Sequence, residues 1–188
     1  MSSRIGKMIQ INVFVESHGK AIGLTFEGLP SGVTLDFERI DLNLSRRRGI
    51  KEISTSRQEK DEYQIVSGYF NNKTTGTPLT FIIENKDVDD KVYDDIKDIV
   101  RPGHADYVSY LKYQGYQDYR GGGHFSGRLT TPLVIAGSIA LQLLETKGIK
   151  VGSRIKQIYD VFDEDIDYRK VPSLIDEFNL QEFPTISS

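Results

Sequence analysis

Residues 126–147 constrain the fold of this chain more than any other stretch. Ser126 is placed to cap a helix and Gly148 to end it. Between them Leu129, Leu133, Ala136, Ile139, Ala140 and Leu143 run round most of the helical circumference. A helix without a polar stripe has to be covered on all sides, so the pattern predicts a central helix with other layers packed over it. Ala136, Gly137 and Ala140 are small enough to let a neighbouring element come close. The longest mostly apolar stretch, residues 132–144, is well short of the ~20 residues that span a bilayer, so a buried core helix is expected and a membrane partner is not.

The remainder must supply those layers. At 188 residues the chain is long enough to bury a substantial core. Its 38% hydrophobic and 27% charged residues are those of a folded domain rather than a disordered one. A net charge of −3 argues against a nucleic-acid partner, which needs a basic surface. With no cysteine, a disulfide framework, a cysteine-type zinc site and a thiol nucleophile are excluded. The first residues lack the apolar run of a secretory leader, and a cytoplasmic location is the expectation.

Residues 8–14 and 21–27 run or alternate apolar and read as strands around a polar corner at residues 17–19. Residues 29–32 read as a turn. Residues 34–48 carry Phe37, Ile40 and Leu44 at helical spacing, with Asp36 at the start and three arginines at the end, as the helix dipole favours. Residues 63–70 and 79–84 read as a strand hairpin, 104–113 as a helix, 149–158 as a strand and 173–178 as a short helix. Hairpin-linked strands around an apolar helix make this α+β, one body from residue 1 to 188 with no internal boundary.

Three features carry chemistry. The three histidines, His18, His104 and His124, each adjoin a glycine, which leaves the ring open to a ligand. Arg46, Arg47 and Arg48, with Arg101, Arg120 and Arg128 beside glycines, suit a multiply charged anion, because the guanidinium fork grips carboxylate or phosphate with two bonds. Gly121, Gly122 and Gly123 open towards a helix start, where backbone N–H groups can cradle a phosphate. The histidine spacing is not that of a helical metal site, and no metal is expected.

Five ordered motifs then give the chain a family likeness. They are Glu16-Ser17-His18-Gly19 with Glu27-Gly28-Leu29-Pro30; Leu44 to Arg48; Thr74-Thr75-Gly76-Thr77-Pro78 with Ile83-Glu84-Asn85 and Asp87; Arg101-Pro102-Gly103-His104-Ala105-Asp106; and Asp118-Tyr119-Arg120-Gly121-Gly122-Gly123 with Ser126-Gly127-Arg128 and Thr130. In this order they resemble chorismate synthase.

The resemblance implies a β-α-β sandwich, an antiparallel sheet packed on long central helices. It implies a carbon–oxygen lyase of the shikimate pathway, serving aromatic amino acid biosynthesis. Phosphate would be lost from 5-enolpyruvylshikimate 3-phosphate by anti 1,4-elimination to give chorismate, with reduced FMN and no net redox change. NADPH would enter only where a flavin reductase activity is present.

By the same resemblance His18 is the acid towards the departing phosphate, with Ser17 as its relay, and His104 faces reduced FMN. Arg47, Arg101 and Arg128, with Arg46 and Arg48, hold the substrate's anionic groups, and His124, Phe125 and Ser126 line the FMN site. Many family members have arginine where this chain has His124, and Lys51 stands near where a further arginine is usual. Members are about twice as long, so the likeness covers an N-terminal part. A C-terminal half would be a partner, the full-length form a homotetramer, and the chain alone inactive. A non-catalytic module binding a phosphorylated metabolite on the same scaffold is the alternative.

Overall fold

Alternation along the strands sets the core. Ile22, Leu24 and Phe26 point the same way on one strand, and Leu79, Phe81 and Ile83 match them on another; all six are 0–2% exposed. The computed structural model that shows this describes residues 3–47, 61–86, 91–181 and 183–186. Its elements in chain order are β1 (Arg4–Gly6), β2 (Gln10–Phe14), β3 (Ala21–Glu27), α1 (Phe37–Arg47), β4 (Tyr63–Ser67), β5 (Tyr69–Phe70), β6 (Lys73–Thr74), β7 (Leu79–Glu84), α2 (Lys91–Asp94), α3 (Asp106–Tyr113), α4 (Thr130–Glu145), β8 (Gln157–Ile158), β9 (Val161–Phe162) and α5 (Val171–Leu180).

A five-stranded antiparallel sheet runs in the order β1-β2-β3-β7-β4. The register sets Ile22 opposite Ile83, Leu24 opposite Phe81 and Phe26 opposite Leu79, so each cross-strand pair meets on the buried face. On the other face Thr25 and Thr80 share a hydroxyl hydrogen bond of 3.0 Å. Gly23 sits there because a β-carbon would run into the Phe81 carbonyl and the Phe14 ring. One buried and one solvated face is the usual economy of an antiparallel sheet.

Two compact units are distinguished, Met1–Ser138 and Ile139–Ser188. The first holds the sheet, α1, α3 and the beginning of α4. There α1 buries Ile40 and Leu44, and Asp36 accepts from the Arg39 N–H at 3.0 Å in its first turn. Asn43 Nδ2 donates to Ser138 Oγ at 2.9 Å and ties α1 to α4. In the second unit α5 buries Phe178. Arg154 pairs there with Asp163 at 2.7 Å, and the same carboxylate accepts from the Ile186 N–H.

Three expectations change. The expected helix over 126–147 begins with a tight 3₁₀ turn, Gly127–Leu129, capped by Ser126, before α4 proper. By length and composition Arg120–Glu145 matches a membrane span, but left-handed glycines divide it and only Thr130–Glu145 is α-helical. Nor is α4 covered on all sides. Ile135, Ala136 and Ile139 are buried, while Leu133, Gly137 and Ala140 are exposed. An apolar circumference says that every side can be covered; here α1 lies on the buried side, through Ser138. The strand expected over 149–158 is reduced to β8, paired with β9: β-branched residues supply the propensity, but among the described residues no strand pairs with 149–156.

Candidate functional site

The turn between β2 and β3 is where the site begins. Gly19 N–H donates to the Glu16 carbonyl at 2.9 Å, which folds the corner back and turns Ser17 and His18 inwards; they are 8% and 5% exposed. Ser17 N–H then donates to the Gly123 carbonyl at 3.2 Å, joining this corner to the glycine loop.

Gly121, Gly122 and Gly123 have φ of +58°, +86° and +51°. Three consecutive residues in the left-handed region are accessible only to glycine without strain. The reason for the first lies in what it touches: a β-carbon on Gly121 would overlap the His18 ring and come within 2.8 Å of Ser17 Oγ. The loop is thus backbone laid directly on the imidazole. The edge of Tyr93 meets the His18 ring at 4.9 Å between centroids and 75° between planes.

Carboxylates govern the arginines. Asp61, whose side chain is fully buried, takes two bonds from Arg47 (Nη2 at 2.7 Å, Nε at 3.1 Å) and one from Arg128 (Nη1 at 2.5 Å). Arg47 Nη1 also donates to Thr130 Oγ1 at 3.2 Å, and Arg128 Nη2 to Asn85 Oδ1 at 3.1 Å. Asn85 turns its other end to the Ser17–His18 corner, donating to the Glu16 and Gly19 carbonyls at 3.1 and 2.8 Å.

Arg101 forms a bidentate pair with Asp106 (2.8 and 2.9 Å) and lies 5.9 Å from the Tyr93 ring centroid. The Arg101 guanidinium holds the Asp106 carboxyl below its ordinary value, and Asp106 raises Arg101 in return. Arg120 is held by Asp118 in the same way at 2.8 and 2.7 Å. Burial pushes Asp118 up, but the Arg120 guanidinium and backbone N–H, with the nearby His18 charge, outweigh it and leave the carboxyl below its ordinary value.

The structure therefore gathers Ser17, His18, Arg47, Arg128 and the glycine loop through direct contacts and one shared carboxylate. It places the other expected residues differently. Arg46 is exposed, and Arg48 lies outside the described residues. His104 is exposed; its N–H donates to the Arg101 carbonyl and its charge favours the ionised Asp106. His124 is engaged at both nitrogens, Nδ1 with the Val15 carbonyl at 3.0 Å and Nε2 with Ser3 Oγ at 3.1 Å. Phe125 stacks obliquely on Tyr113, and Ser126 Oγ accepts from the Arg128 N–H. Asp61 and Tyr93 were not anticipated. Asp61 stands alone among charged residues with no local pattern, and its partners are 14 and 67 residues away.

A cleft of about 370 Å³ opens beside this cluster, lined by Tyr93, Arg101, Asp106, Tyr110, Asp118 and Gly122 among others. Among the described residues no group of three or more His, Asp or Glu side chains is disposed to hold a metal ion.

Comparison with known proteins bears on this constellation. Residues 9–184 match the family model described as chorismate synthase. A chorismate synthase of Thermococcus kodakarensis is 53% identical over 153 residues, covering 81% of this chain and 43% of that protein. One from Sulfolobus acidocaldarius is 45% identical over 170 residues, covering 89% and 43%. A solved structure titled as the crystal structure of chorismate synthase superposes with a TM-score of 0.68 at 25% identity, over 95% of this chain and 48% of that one. The chain spans less than half the length of the curated relatives it matches.

Proposed function

The chain belongs to the chorismate synthase family, and from that premise we propose that it supplies the N-terminal part of an enzyme forming chorismate from 5-enolpyruvylshikimate 3-phosphate. In that reaction a ring C–H bond and the C–O bond to phosphate break: the ring proton passes to a base, the C–H electron pair shifts through the existing double bond to form the diene, and phosphate leaves with the C–O electron pair. The observation that carries the reading is the contact of His18 with the glycine loop, linked by Asn85 to the half-buried Arg128 and, through buried Asp61, to Arg47.

Each group then has a task. Arg47 and Arg128 hold the anionic groups of the substrate, which carries a phosphate and two carboxylates. Arg101 faces the cleft and adds a third cation. His18 gives a proton to the departing phosphate oxygen, and Ser17 Oγ beside it relays the replacement. The Gly121–Gly123 backbone keeps that corner closed to side chains.

The cleft fits a flavin. Its volume lies in the range of small-molecule sites, roughly 300–1,000 Å³, and its lining joins aromatic rings to Arg101 and the open backbone of Gly122. Tyr93, Tyr110 and Gly122 would hold the ring system, and His104, next in sequence to the lining residue Ala105, would set its charge. When bound, reduced FMN supplies transient electron density and recovers it, so no net oxidation results. His124, Phe125 and Ser126 contribute by fixing the loop rather than by offering donors of their own. The complete assembly is read as a cytoplasmic homotetramer in which a C-terminal half completes the site.

An anaerobic assay of chorismate formation with reduced FMN and the phosphorylated substrate tests this. Substrate binding without turnover by residues 1–188, and turnover once a C-terminal half is supplied, is the expected result. Absence of substrate binding would overturn the reading.

A further inference from the structure

We propose that Asp61 is a positioning residue of the anion site, a buried carboxylate that locks Arg47 and Arg128 into a single fixed receptor. The proposal rests on the reading of those arginines as substrate-binding.

Two separate parts of the first unit converge on this carboxylate, Arg47 from the end of α1 and Arg128 from the 3₁₀ turn before α4. Each guanidinium reaches on to a further partner, Arg47 to Thr130 at the first residue of α4 and Arg128 to Asn85 just after β7. Two guanidiniums this deeply placed, 22% and 11% exposed, would repel each other and lose hydration without a counter-ion. One carboxylate between them leaves the trio with a net charge of +1. That is attractive to an anion without being self-repulsive.

The bonds to Asp61 and Thr130 occupy three of the five N–H donors of Arg47. They also fix the plane of its fork before any ligand arrives. A guanidinium ordered in advance loses less freedom on binding, so Asp61 acts on affinity without touching the ligand. It also reaches His18 indirectly. Arg128 holds Asn85, and Asn85 holds the carbonyls of Glu16 and Gly19 on either side of the Ser17–His18 corner. Anion receptor and acid are thereby set by one network.

The test uses the 188-residue chain with Asp61→Asn and Asp61→Glu. Binding of 5-enolpyruvylshikimate 3-phosphate and of inorganic phosphate is measured by calorimetry, and the arginine side-chain N–H signals are followed by NMR without ligand. Ile135→Val serves as a control that weakens the core and leaves affinity and arginine signals alone. Asp61→Asn is expected to shift the signals of both Arg47 and Arg128 and to weaken binding tenfold or more. Asp61→Glu recovers part of that loss and stays severalfold below the parent.

Unchanged arginine signals in Asp61→Asn, or affinity equal to or above the parent's, overturn the proposal. Should Asp61→Asn fail to fold, Asp61→Glu decides: signals and affinity identical to the parent's overturn it. A parent that binds phosphate but not the phosphorylated substrate defeats the proposed function, while the Asp61 dependence of phosphate binding still stands or falls by itself. A parent that binds neither overturns both.

Discussion

The imidazole of His18 occupies the space that a methyl group on Gly121 would need. Gly121→Ala therefore meets two obstacles. A left-handed φ of +58° costs an alanine roughly 1–2 kcal/mol, and the new methyl must displace the ring. Gly103→Ala is the matched comparison, since Gly103 has φ of +77° with open space where its β-carbon would go. Urea unfolding is expected to show roughly 1–2 kcal/mol lost at Gly103, the left-handed cost alone, and clearly more at Gly121. Only Gly121→Ala should move the His18 ring signals in NMR and lower substrate affinity.

Asp106 gives the fold a dependence on acid. Its carboxyl is held below its ordinary value, first by the hydrogen bonds from Arg101. A depressed group stabilises the folded state fully above the unfolded carboxyl value of about 3.9, and loses that contribution as pH falls through its own lower value. The melting temperature of Asp106→Asn should therefore lie below the parent's by a constant margin from neutral pH down to about pH 5, and the margin should close below about pH 4. A margin independent of pH would mean that the ionised state of Asp106 is not what stabilises the fold.

Phe81 tests the core. It lies opposite Leu24 at the centre of the sheet, is 0% exposed, and meets the Tyr63 ring at 5.5 Å. Phe81→Ala should cost about 3–5 kcal/mol, transfer and cavity together, read as a fall in the urea midpoint. A loss under 1 kcal/mol would show that the sheet face is not the core.

His124 secures the loop through both ring nitrogens. Nδ1 faces a carbonyl, so that nitrogen carries the proton and Nε2 accepts from Ser3. His124→Ala leaves the carbonyl of buried Val15 without this donor, at about 1–3 kcal/mol. His124→Arg restores an N–H donor and should recover most of the stability. Equal melting of the alanine and parent proteins would show the bond to be idle.

What the sequence disclosed divides by distance along the chain. The strand Ala21–Glu27 was readable to the residue, since alternation is a local signal. The glycine triplet and the His18 corner were recognisable one motif at a time, but nothing in either says that one lies on the other. The arginines advertised an anion site by composition. Their partners did not show, because an acid near each is too common to single out Asp61, Asp106 or Asp118. Residues 149–158 misled for the opposite reason: propensity favoured a strand, yet a strand exists only where another edge accepts it, and among the described residues only β9 does, for two residues.

The sheet order has a consequence in the time of synthesis. β7 lies between β3 and β4, so when β3 leaves the ribosome one of its edges faces a vacancy that closes only after Glu84 has been added, 84 − 27 = 57 residues later. At roughly 5–20 residues per second that is about 3–11 s. For that interval a strand with Ile22, Leu24 and Phe26 on one face presents an open ladder to any neighbour, the usual opportunity for edge-to-edge aggregation. Slow translation between residues 28 and 84 would lengthen the exposure, and a chaperone that occupies extended apolar segments would have its best target in 21–27.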